Sequence, residues 1–111
     1  MNRHEHLLVC LGEEADEVGQ RVAKALRFGL AEVQAEHYLT NAHRITEELK
    51  DLWAVALLLA REGVIPYPQP SIVEIEAKRE KIERYMAISR EQGVLSADSD
   101  VDQQQMEFRA E

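Results

Sequence analysis

Two long stretches of this chain repeat their apolar residues at helical spacing, and one of those rows has a carboxylate standing in it. From Arg3 to Phe28 the row reads Leu7, Leu11, Val18, Val22 and Ala25, in steps of four, seven, four and three. The missing slot is Glu14. Residues at such spacings share one helix face, the face that packs. Burying an unpaired charge there is costly, so Glu14 is expected to have a cation or a donor beside it. Gly29 marks the end of this first helix.

The second helix is expected to begin at Thr40 or Asn41, either of which can cap it, and to run to about Glu62 before Gly63. Its stripe is Ile45, Leu49, Leu52, Ala56 and Leu59. Glu48 flanks that stripe and Asp51 lies one step further round. Between the two helices, residues 29–40 read as a connector with a short helical turn around Ala31 to Glu36. Pro66, Pro68 and Pro70 then stiffen a linker that no helix can cross. Ser71-Ile72-Val73-Glu74 has the spacing of a capping box. It predicts a third helix reaching about Gln92, with Ile75, Ile82, Met86 and Ile88 for packing and Lys78, Arg79, Lys81, Arg84 and Arg90 as a basic set.

The expected fold class is therefore all-α, an antiparallel helical bundle. Only 5% of the 111 residues are aromatic, so aliphatic side chains must supply the core. Leu52 to Ala60 is apolar nearly all round, and a helix of that kind is buried on every side. Three helices alone make too thin a bundle for this, and oligomerisation is expected to complete it. Residues 1–95 read as one helical domain, and 96–111 as a polar, acidic C-terminal tail.

A formal net charge of −8 argues against non-specific binding to nucleic acid or to an anionic membrane. The single Cys10 excludes an internal disulfide and suits a reducing compartment, so a cytoplasmic location is expected. The longest apolar run is too short to span a bilayer.

The acidic residues carry the chemistry. Glu13-Glu14-Ala15-Asp16-Glu17 and Glu48-Leu49-Lys50-Asp51 read as EExxE and ExxD. Residues three apart are neighbours on a helix, so Glu14 with Glu17, and Glu48 with Asp51, each point at one spot. Two such helices packed antiparallel bring four carboxylates together, an all-oxygen set suited to Mg²⁺, with Mn²⁺ an alternative. The plainer reading is a solvated acidic face with i,i+4 partners such as Glu17 and Arg21.

These motifs, with Lys24-Ala25-Leu26-Arg27-Phe28-Gly29, Asn41 with Arg44, and Lys81-Ile82-Glu83-Arg84-Tyr85, resemble the MazG-like group of all-α nucleoside triphosphate pyrophosphohydrolases. The likeness is to the short single-domain type of bacteria and phages and spans roughly residues 5–95. It implies hydrolysis of a nucleoside triphosphate to the monophosphate and pyrophosphate, in nucleotide-pool control. It implies Glu14, Glu17, Glu48 and Asp51 as metal ligands and Glu13 as the residue that orients or deprotonates water. Lys24, Arg27, Lys81 and Arg84 would hold the phosphate tail, with Asn41 and Tyr85 at the nucleotide. It also implies a homodimer or homotetramer. The rival expectations are a non-catalytic oligomeric helical scaffold and a dUTPase-like enzyme of the same superfamily. The absence of any Glu-x-x-His counts against a di-iron carboxylate bundle.

Overall fold

The computed structural model describes residues 1–96 and is all-helical, in the order α1 (Arg3–Phe28), α2 (Asn41–Arg61) and α3 (Ile72–Glu91). The described residues contain no strand, only an isolated bridge between Val33 and Thr40. The C-terminal tail expected at 96–111 lies outside the described residues, apart from Ser96. The chain divides into two units, one of residues 1–68 and one that begins at Gln69.

In the first unit α1 and α2 form an antiparallel hairpin. Asn2 caps α1, its side chain accepting from Glu5 N at 2.8 Å. The helix stops at Gly29, whose φ of 101° is a backbone state that side chains disfavour. Thr40 is the residue that caps α2, its Oγ1 accepting from His43 N. Gly63, at φ 77°, turns the chain out of α2 while Gly63 N donates to Ala60 O. Both ends of the hairpin are tied. At one end Arg3 donates from Nε and Nη2 to the two carboxylate oxygens of Glu62, each at 2.9 Å. At the other, the Asn41 side chain donates from Nδ2 to Gly29 O at 2.9 Å.

The connector departs from the sequence expectation. In place of a helical turn around Ala31 to Glu36 there are two turns and the Val33–Thr40 bridge, with Glu36 at a φ of 73°. Backbone bonds from Asn41 N to Glu32 O and from Ala42 N to Leu30 O close the loop at its base. Asn41 is 1% exposed and also donates to Glu32 Oε1 at 3.3 Å. These long-range bonds outweigh the weak local helix signal of the segment.

The packing is thin. Ala25 and Leu59 are the buried apolar side chains among the described residues, with Leu59 wholly enclosed. Leu7, Leu11, Val18, Ile45, Leu52 and Ala56 are half-buried along the seam. Trp53 and Leu58 stay exposed, so the described residues do not cover Leu52 to Ala60 on every side. Leu49, Leu52, Trp53, Ala56 and Pro68 line an apolar groove of about 340 Å³.

In the second unit, α3 opens with the expected capping box. Ser71 Oγ accepts from Glu74 N at 3.1 Å, and Ser71 N donates to Glu74 Oε1 at 3.0 Å. No side chain of α3 is buried, and Ile75, Ile82, Met86 and Ile88 are all exposed.

Candidate metal centre

The antiparallel hairpin brings the two acidic motifs to one place. Glu14 and Glu17 stand one turn apart on α1 and Glu48 faces them from α2; one carboxylate oxygen from each lies within 4.8 Å of the others. Glu14 is half-buried, as its place in the apolar row requires, while Glu17 is exposed.

Clustered acidic groups are common on protein surfaces, so the proximity alone says little. Burial adds more. Glu14 Oε2 and Glu48 Oε2 are both shut off from solvent and have no hydrogen-bond partner. A buried oxygen in that state is unfavourable by about 1–3 kcal/mol, more if charged. The donor set is oxygen only, which is the chemistry of Mg²⁺, Mn²⁺ or Ca²⁺ sites. The residues therefore fit a hard divalent cation.

The electrostatics point the same way. The Glu48 carboxyl is held above its ordinary range, first by burial, then by the adjacent Glu17 carboxyl and the charge of Asp51. Arg21 opposes this rise. Its Nε lies 3.8 Å from Glu48 Oε1.

The other residues singled out in the sequence are distributed as follows. Asp51 is exposed and stands outside the three-carboxylate group, though near enough for its charge to act on Glu48. Glu13 is exposed beside Glu14. Lys24 is half-buried on α1. The Arg27 guanidinium sits over the Phe28 ring, 4.9 Å from its centroid. Asn41 is spent on the loop base, with Oδ1 buried and unpartnered. Lys81, Arg84 and Tyr85 are exposed on α3, in the second unit.

Arg21 borders the cluster. Arg21 follows Glu17 by four, which suggests an i,i+4 pair on α1; in the structure it pairs across the hairpin with Glu48. The usable signal was the half-polar position between Val18 and Val22, on the edge of the packed face.

Comparison of the chain with protein-family models, with curated proteins and with solved structures gives no match.

Proposed function

We propose that this protein is a divalent-cation-dependent nucleoside triphosphate pyrophosphohydrolase of the MazG-like kind. One observation carries the reading: Glu14 and Glu48 each keep a buried carboxylate oxygen without a partner, in a cluster that Glu17 completes. A solvated acidic face would turn those oxygens to water.

In this reading Glu14, Glu17 and Glu48 would hold the cation, with Asp51 adding a fourth negative charge close by. When bound there, Mg²⁺ would supply charge neutralisation for the triphosphate oxygens and acidify water. Glu13, the exposed sequence neighbour of Glu14, would be the residue to orient water or take a proton from it. Lys24 and Arg27 follow the cluster on α1 and would offer positive charge to a phosphate chain. Water cleaves the anhydride between the α- and β-phosphates, leaving a monophosphate and pyrophosphate. Asn41 holds the 29–40 loop in shape, and through it whatever that loop contacts.

The working form is proposed to be a homodimer or homotetramer. The exposed Trp53 and Leu58 on α2, and a third helix without a buried side chain, support that reading. A cytoplasmic location goes with it; no described helix is long and apolar enough to cross a membrane.

Glu48→Gln tests the proposal. It keeps the shape of the side chain and removes its charge. Loss of Mg²⁺-dependent triphosphate hydrolysis, with the circular dichroism spectrum and oligomeric state unchanged, is the expected result. Hydrolysis at the wild-type rate would end the assignment.

A further inference from the structure

The carboxylate cluster contains a positive charge of its own, in an unsettled arrangement. Arg21 lies one turn beyond Glu17 on α1, and its Nε is 3.8 Å from Glu48 Oε1. That is within ion-pair range but beyond hydrogen-bond reach. The Arg21 side chain is only 21% exposed, and its Nη1 is buried with no hydrogen-bond partner. Glu48 Oε2 is also buried and unpartnered. Arginine and carboxylate groups normally close a two-pronged contact when they meet. Here both partners keep unused hydrogen-bonding capacity while standing side by side.

We propose that Arg21 is a positioning residue, the resident counter-charge of the cluster. It keeps Glu48 at the site in the cation-free protein and competes with the incoming divalent cation for that carboxylate. This rests on the reading of Glu14, Glu17 and Glu48 as a cation site. Three carboxylates within 4.8 Å repel one another, and Arg21 relieves part of that repulsion. A divalent cation brings more charge and takes oxygen ligands directly, so it displaces the guanidinium. The guanidinium then has donors free for an anionic group of a ligand.

The sign of one effect separates this role from a purely structural one. Without a competing charge, the cluster should bind a cation more tightly. If Arg21 were only a tether, its loss would let Glu48 drift away and binding would weaken.

The test is Mg²⁺ titration by calorimetry, with thermal unfolding with and without Mg²⁺, on the full chain as wild type, Arg21→Gln and Arg21→Lys. Arg21→Gln is expected to lower the Tm without Mg²⁺. It should bind Mg²⁺ roughly fivefold more tightly, the scale of one solvent-screened ion pair that no longer has to be given up. Arg21→Lys, which keeps the charge, should stay within about twofold of wild type, since only the geometry of the donors changes. An Arg21→Gln protein that folds only when Mg²⁺ is present would be the same effect at greater strength.

Equal or weaker Mg²⁺ binding by Arg21→Gln, with wild-type binding intact, overturns the counter-charge role and leaves the cation site standing. So does an Arg21→Gln protein that fails to fold in either condition. Absence of Mg²⁺ binding in all three proteins removes the cation site itself, and this role with it.

Discussion

Replacing Glu14 by Gln should make the cation-free protein more stable and, in the same step, deprive it of cation binding. Glu14 stands in the apolar row of α1, half-buried, with Oε2 shut off from solvent and unpartnered. Its neighbours in the cluster are two further carboxylates within 4.8 Å. A buried polar atom without a partner costs about 1–3 kcal/mol, and the partial exposure of Glu14 places it at the lower end. Gln keeps the volume, removes one charge from the repelling group and offers amide hydrogens to Glu17 or Glu48. The net gain should be about 1 kcal/mol, or roughly 4–8 °C in Tm for a domain of this size. Urea and thermal unfolding in a chelating buffer would measure it, and the same curves with Mg²⁺ should show the wild type rising while Glu14→Gln stays put. A Glu14→Gln protein less stable than wild type without Mg²⁺ would refute the reasoning, because the carboxylate would then be serving the fold and not a ligand.

Further outcomes follow from the same geometry. Glu48 has its folded-state pKa raised, so its contribution to stability is present below the ordinary carboxylate pKa and is lost as pH rises through the folded value. Glu48→Gln should therefore gain on the wild type, without Mg²⁺, as the pH goes from about 4 to 7; unfolding midpoints across that range would show it. Glu62 behaves oppositely. Its hydrogen bond from Arg3 holds its pKa down, so the Arg3–Glu62 contribution is present above the ordinary carboxylate pKa and is lost as pH falls through the folded one. The stability gap between wild type and Glu62→Gln should be largest near neutrality and close in acid. Asn41→Ala removes the buried donor that Gly29 O has beside Glu32 N and should cost about 1 kcal/mol in urea unfolding. Ser71→Ala breaks the capping box and should weaken α3 by about 1 kcal/mol, read as lost helical circular dichroism.

The helices and their ends were legible because their signals are local. Gly29, Thr40, Gly63 and the Ser71–Glu74 box act on neighbouring backbone, and each does in the structure what its residue type implies. The slot of Glu14 was legible for a related reason, since a break in a periodic row is visible without knowing what lies opposite. The connector was not, because Asn41 bonds to Gly29 and Glu32 across a loop, and no local pattern announces such bonds. Arg21 is a case of the same kind. Its distance along the chain favours Glu17, whereas the hairpin register gives it Glu48. Which carboxylates converge is likewise a matter of register: i,i+3 spacing treats Asp51 and Glu17 alike, and the crossing of α1 and α2 groups only Glu14, Glu17 and Glu48.

The most direct test of the central claim is the identity of the products. Folded protein would be incubated with Mg²⁺ and a panel of ribo- and deoxyribonucleoside triphosphates, and the products resolved by ion exchange. Monophosphate and pyrophosphate in equal amounts, abolished by chelation of the metal, is the predicted result. Diphosphate with inorganic phosphate, or no turnover of any triphosphate, would contradict the claim.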